Sequence, residues 1–230
     1  MKINNQPVEK VELDPNGVLD VYNIWRTIQG EGPLTGMPAV FIRLAGCVLR
    51  CRDCDTDYTS KRKMMEVKDI VKQVKSRLTK GLVVLTGGEP FRQNISPLTM
   101  ALLKSYYLVQ VETNGTVHPW GVPWHNSRFS VVCSPKTPKI DKGILTQPRV
   151  DWKYVVRSGW TDPDDGLPTI TLGSTRPARP DWSFGPRVWV QPQDEQNEEA
   201  NKANIDAALK SCFRFGYRLS LQTHKMIGLE

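Results

Sequence analysis

The chain has 230 residues, of which 39% are hydrophobic and 24% charged, a balance that excludes a disordered polymer and supports a packed core without disulfide staples. No apolar run approaches the length of a membrane helix, and residues 1–16 lack the apolar stretch of a secretory signal, so neither is expected. The formal charge of +7 comes from scattered lysines and arginines; Lys61-Arg62-Lys63 is the one tight run, and it reads as solvated surface before it reads as a nucleic-acid contact.

In chain order, residues 39–44 (AVFIRL) read as a β-rich strand that ends at Gly46. Over 64–79, the apolar Val67, Ile70, Val71, Val74 and Leu78 fall on one helical face with lysines opposite. Gly81 breaks that helix, and 82–85 (LVVL) follows as a buried strand. A helix is predicted over 96–105, with Pro97 in its first turn. Further short strands are predicted at 107–111, 130–133, 152–156 and 188–190. The segment 159–186, rich in Gly, Pro, Asp and Ser, reads as an irregular connection within one domain spanning 1–230. A long helix over 197–215, buried through Ile205, Ala208, Leu209 and Cys212, precedes a last strand at 217–222.

Strands alternating with helices indicate an α/β chain of βα units with a mainly parallel sheet. Functional side chains in such folds gather past the carboxyl ends of strands. Six polar clusters follow predicted strands: Gly46-Cys47, Thr86-Gly87-Gly88-Glu89, Glu112-Thr113, Ser134-Pro135-Lys136, Gln191-Pro192 and Gln222-Thr223-His224. They are expected to converge on one mouth.

Three of the five cysteines, Cys47, Cys51 and Cys54, are spaced C-x3-C-x2-C within eight residues. Such clustering points to a metal or cluster site in a reducing compartment, the cytoplasm, rather than to a secreted disulfide framework. A structural zinc wants four ligands, and the nearby Asp53, Asp55 and Asp57 are poor companions for thiolates. Three thiolates without a fourth suit a 4Fe-4S cluster with one open iron. Zinc completed by a distant residue, or plain buried thiols, remain alternatives on spacing alone. The glycine-rich GGEP after the next strand favours the cluster: Gly87 and Gly88 permit close approach of backbone to a ligand, and Glu89 adds a carboxylate.

With these motifs the chain resembles the radical S-adenosylmethionine (SAM) superfamily. Within it, IWRTIQGEGPLTGMPAVFIRLAGCVLRCRDCDTDYT, VVLTGGEP, VETNGT, CSPK, VQP and LSLQTHK resemble the 7-carboxy-7-deazaguanine synthase family. The resemblance implies a trimmed or partial (β/α) barrel, with a 4Fe-4S cluster on Cys47, Cys51 and Cys54 whose open iron is chelated by SAM. It implies a lyase that converts 6-carboxy-5,6,7,8-tetrahydropterin to 7-carboxy-7-deazaguanine by radical ring contraction with loss of ammonia, a step toward deazapurines such as queuosine. Mg²⁺ on Thr56, an external electron donor and a homodimer are implied as well; no membrane or nucleic-acid partner is expected.

Carried over residue by residue, the resemblance implies SAM contacts at Asp53, Asp55, Gly87, Gly88, Glu89, Gly115, Ser134, Pro135, Lys136 and Gln191. Ile28, Gln29, Gly30, Glu31, Arg43, Thr113 and His224 are implied on the substrate. Residue chemistry supports parts of this. The Gln29 amide both donates and accepts, which suits a pterin edge. Arg43 lies in an apolar strand, where a guanidinium is either a fork for the substrate carboxylate or half of a structural ion pair. Thr56 is a neutral oxygen ligand for Mg²⁺ or the cap of its own turn. Radical SAM loops often carry an aromatic just before the third cysteine, against the SAM adenine; here that position is Asp53. Cys133 and Cys212 read as buried structural thiols.

Two rival classes are a glycyl-radical activating enzyme, which shares C-x3-C-x2-C but acts on a protein, and a zinc-containing nucleic-acid module. The first has no need of QGEG or QTHK, and the second would be colourless where an iron–sulfur protein is brown.

Overall fold

In the computed structural model, which describes residues 3–173 and 175–229, nine strands form one sheet in the order β3-β1-β2-β4-β5-β6-β7-β8-β9. The strands are β1 (Val18–Ile28), β2 (Pro38–Leu44), β3 (Lys63–Glu66), β4 (Leu82–Gly87), β5 (Leu108–Thr113), β6 (Phe129–Cys133), β7 (Val150–Val156), β8 (Arg187–Pro192) and β9 (Arg218–Leu219). From β2 onward every neighbouring pair is parallel, whereas β1 runs antiparallel to both β2 and β3. Five helices accompany them: α1 (Val67–Arg77), α2 (Ser96–Lys104), α3 (Lys142–Leu145), α4 (Glu198–Phe215) and α5 (Thr223–Met226).

The period of two along each strand separates core from site. Val40, Ile42 and Leu44 of β2, Val83 and Leu85 of β4, and Val109 and Val111 of β5 enter the main core with Ile70, Val74, Leu98 and Leu102 of the helices. Residues between them face the other way, and they change character along the strand. Ala39, Leu82 and Leu108 form an apolar floor, and Phe41, Val84 and Gln110 the next layer. Arg43, Thr86 and Glu112 then form a polar rim at the carboxyl ends, where the Thr86 hydroxyl donates to Glu112 at 3.2 Å.

Several expected elements are corrected. β1 and β3 were not among the predicted strands, and the helix predicted from residue 64 starts at Val67. Residues 63–66 extend instead because they pair with 18–21, which brings Met65 opposite Leu19 in the core; this long-range pairing overrides the local helical pattern. The strand predicted at 217–222 pairs only over Arg218–Leu219, because the residues after it turn toward the end of β1. In α4 only Ala208 of the four expected apolar residues is fully buried. The helix is tied down by polar bonds as well: Asn204 Nδ2 donates to the Gln193 carbonyl at 2.9 Å, and Ser211 Oγ to the Gly166 carbonyl at 2.7 Å.

The two flanks of the sheet meet at the mouth. Thr223 N donates to the Gly30 carbonyl at 3.1 Å, Gly32 N to Ser220 Oγ at 3.0 Å, and Gln222 Nε2 to Glu31 Oε1 at 2.8 Å. Gly30 is required here, since a Cβ would stand 1.9 Å from His224 Nδ1. The QGEG and QTHK segments are thus the two sides of one seam.

Candidate active site

A cavity of about 480 Å³ opens at the carboxyl ends of the strands, and all six predicted polar clusters contribute to its lining. Cys47, Cys51 and Cys54 reach it from the loop after β2, as do Asp53, Asp55 and Thr56. Burial pushes the Cys47 thiol up to about 12 and raises Cys51 and Cys54 too, so these thiols favour the thiolate only with a metal to stabilise it. Leu49 N already donates to Cys47 Sγ at 3.4 Å. Among the described residues, no three His, Cys, Asp or Glu side chains are gathered to hold a single metal ion. Cluster thiolates bind separate irons and need not converge on a point. Three thiols of one loop opening on one cavity fit a cluster.

Beside the thiols stands Lys136, whose ammonium donates to the Ser134 carbonyl at 2.9 Å. Burial lowers its pKa to about 8, with the charge of Lys153 acting in the same direction and the cysteines opposing. Lys153, on the cavity face of β7, pairs with Glu31. Burial would raise the Glu31 pKa, but Lys153, Gln222 and His224 outweigh it and hold Glu31 at about 2. Glu31 also accepts from Gln191 Nε2 at 3.3 Å. His224 lines the same wall, and burial lowers its pKa against the pull of Glu31.

Arg43 projects into the cavity from β2, its guanidinium 5.0 Å from the Trp25 ring and 5.9 Å from that of Tyr22. Its Nε is buried without a hydrogen-bond partner, and among the described residues it belongs to no ion pair. The alternative of a structural ion pair is therefore set aside. The Thr56 hydroxyl donates to Asp55 Oδ1 at 3.1 Å. Asp53 is bound to Arg52 at 2.8 Å, and its N–H donates to the Leu172 carbonyl at 3.2 Å. Through Leu172, the 159–186 connection reaches the cavity wall.

Gly30, Glu89, Gly115 and Pro135 are not part of the lining. Glu89 is fully buried, accepting from Thr113 Oγ1 at 2.7 Å, Asn114 N at 2.8 Å and Phe91 N at 3.0 Å; burial nonetheless raises its pKa to about 7. Gly87 and Gly88 border the cavity, but what they approach is protein: a Cβ would lie 2.2 Å from the Leu44 carbonyl oxygen at Gly87 and 2.1 Å from that of Gly46 at Gly88. Gly115 packs on Cys133, whose Sγ a Cβ would meet at 2.5 Å. Gln29 lines the cavity, its amide donating to Gln110 Oε1 at 2.7 Å and Glu112 Oε1 at 3.1 Å. Ile28, Ser134, Gln191 and Thr113 line the cavity as expected positions, with Lys153 and Glu112 beside them. No role was assigned to those last two from sequence, although a lone lysine between Trp152 and Tyr154 carries the same signal as Arg43.

No protein-family model matches the chain. It is 42% identical over 225 residues to the 7-carboxy-7-deazaguanine synthase of Rhodospirillum rubrum, covering 91% of this chain and 92% of that one. The chain belongs to the 7-carboxy-7-deazaguanine synthase family. The synthase of Rickettsia prowazekii is 35% identical, with 92% and 89% of the two chains covered. The crystal structure of QueE from Escherichia coli superposes with a TM-score of 0.62 at 23% identity, over 89% of this chain and 94% of that one; this likeness carries the fold, the partial barrel expected of the family. Among the described residues, no helix is long and apolar enough to cross a membrane.

Proposed function

We propose that the chain converts 6-carboxy-5,6,7,8-tetrahydropterin to 7-carboxy-7-deazaguanine with loss of ammonia, in a route to deazapurines such as queuosine. One observation carries the reading: the three thiols and the set Glu31, Arg43 and His224 line a single cavity. Cys47, Cys51 and Cys54 would hold a 4Fe-4S cluster, with SAM alongside. When bound, these groups would supply the radical chemistry that the protein has no side chain to perform.

The chain's own residues bind and orient. Arg43, free of any carboxylate among the described residues, offers its fork to the substrate carboxylate. Glu31, kept ionised by Lys153, accepts from the amino-pyrimidine edge of the pterin, with His224, Thr113 and Ile28 around the ring. Ser134, Lys136, Gln191, Asp53 and Asp55 face the SAM side. Gly87, Gly88, Glu89, Gly115 and Pro135 shape that side from behind. Gln29 and Gly30 hold the substrate wall in place. Thr56 gives Mg²⁺ a neutral oxygen ligand near the substrate. The working unit is a cytoplasmic homodimer reduced by an external electron donor.

The test is anaerobic turnover of carboxytetrahydropterin by reconstituted protein with SAM, Mg²⁺ and a chemical reductant. Formation of 7-carboxy-7-deazaguanine is expected. Protein that holds its cluster and cleaves SAM yet leaves the pterin unchanged would overturn the assignment in favour of a different radical SAM activity.

A further inference from the structure

Residues 4–9 run beside the cysteine loop and bond to it through Asn4, Gln6 and Glu9, while Lys10 and Glu12 beyond them bond to Arg92. Glu9 N donates to the Cys47 carbonyl at 2.8 Å. Asn4 holds the middle of the loop: its N–H donates to the Arg52 carbonyl at 2.9 Å and its Nδ2 to the Cys51 carbonyl at 3.1 Å. Gln6 holds the far end. Its Nε2 donates to the Thr56 carbonyl at 2.8 Å, while its Oε1 accepts from Tyr58 N at 2.8 Å and Thr59 Oγ1 at 3.0 Å. Asn4 Oδ1 in turn accepts from Gln6 N at 3.0 Å and Gln6 Nε2 at 3.1 Å, which locks the two amides together. Asn4 is buried and Gln6 half-buried, whereas Asn5, Pro7 and Val8 face outward.

The loop has no regular secondary structure to fix it. Between the end of β2 and the start of β3 the described residues form no strand or helix; apart from the strap, the backbone is tied by Gly46 N to the Tyr58 carbonyl at 3.0 Å, Cys54 N to the Cys51 carbonyl at 3.3 Å and Asp53 N to the Leu172 carbonyl at 3.2 Å. The carbonyls that this strap engages belong to Cys47, to Cys51 and its neighbour, and to the residue two past Cys54. Each bond therefore constrains the backbone at or beside one thiol.

We propose that this N-terminal strap, through Asn4 and Gln6 as positioning residues, pre-sets the three thiols for the cluster and retards its loss. The inference rests on the cluster reading above and adds a determinant outside the cysteine motif. Cluster retention depends on how firmly the thiolates are held and how well solvent is kept from the sulfurs.

The experiment compares full-length wild type, Asn4→Ala/Gln6→Ala and the outward-facing control Asn5→Ala, each reconstituted anaerobically with iron and sulfide. Three properties are read: iron and sulfide per chain, the rate of cluster bleaching by an iron chelator, and the thermal midpoint of the apoprotein. The double variant loses the six part-buried side-chain bonds of Asn4 and Gln6 and is expected to bleach about tenfold faster than wild type, the scale of one or two net hydrogen bonds, with Asn5→Ala at the wild-type rate. Asn4→Asp and Gln6→Glu each keep the acceptor and lose the donor, so both should fall between; they carry the comparison if the double variant does not fold. Bleaching of the folded variants at the wild-type rate overturns the proposal while leaving the cluster in place. A wild type that takes up no cluster overturns the cluster reading itself, and the proposal with it.

Discussion

The cavity has two kinds of wall. Arg43, Thr86, Glu112, Lys153 and Gln191 stand on strands, at positions set by sheet register, with hydrophobic core on the opposite face of each strand. The thiols stand on a loop without register, held by polar bonds from residues distant in sequence. The difference teaches where each wall is vulnerable. A strand-borne side chain can be exchanged without moving its backbone, so substitution there reports on the chemistry of the group. The loop responds to substitutions in segments that never touch a ligand.

The largest expected effect is on the loop. Cys51→Ala should abolish cluster binding and SAM cleavage, whereas Cys133→Ala, on the core face of β6, should keep both. Iron and sulfide content and 5′-deoxyadenosine formation decide this, and full iron with normal cleavage in Cys51→Ala would detach the loop from the chemistry. On the strand wall, Lys153→Met strips Glu31 of its partner in a buried setting. A loss of about 3–5 kcal/mol in denaturant unfolding is expected, as for other buried pairs deprived of one member. The same pair predicts a pH window. Against the effect of burial, the Lys153 ammonium holds Glu31 well below the usual carboxylate range in the folded chain, so its stabilisation is complete above the ordinary carboxylate pKa and disappears as pH falls through the lower folded value. Lys153→Met should flatten that part of the stability profile; an unchanged acid limb would mean that the pair does not act in solution.

Arg43→Lys should behave differently, because no carboxylate depends on it among the described residues. Loss of the bidentate fork is expected to raise KM for the pterin about tenfold, with SAM binding unaltered and unfolding shifted by less than about 1 kcal/mol. A variant that unfolds early but turns over with wild-type KM would return Arg43 to the scaffold. The smallest effect belongs to Thr56. Thr56→Ala should need several-fold more Mg²⁺ for half-maximal product formation, on the order of one lost neutral ligand, and Thr56→Ser should not. Superimposable Mg²⁺ titrations would take Thr56 out of the metal site.

Legibility in the sequence follows the same division. The parallel strands and the rim were readable because period-two alternation marks one face apolar, and Arg43 stood out as a charge in AVFIRL. Lys153 carries the same signal in DWKYVV, and with Glu112 it joins the lining without having stood out. β1 and β3 were hidden because their pairing is antiparallel and long-range, and because Met64 and Glu66 fit a helical pattern as well as an extended one. Glycines 87 and 88 were legible as points of close approach, but the partner they approach, the end of β2, is a fact of packing. Gln29 has the composition of a ligand contact; only the fold shows that its amide is taken by Gln110 and Glu112.

The seam at the mouth also sets an order in time. Glu31 waits for two amides that lie 160 and 191 positions further along the chain, Gln191 and Gln222. At elongation rates of about 5–20 residues per second, Gln222 arrives roughly 10–40 s after Glu31 has left the ribosome's catalytic centre. Cys47, Cys51 and Cys54 are all made at least 170 residues before His224, so the nascent chain can meet iron while the far wall of its pocket is still being translated. Loading before that wall closes and loading after it are distinct events, separated by the time needed to reach His224.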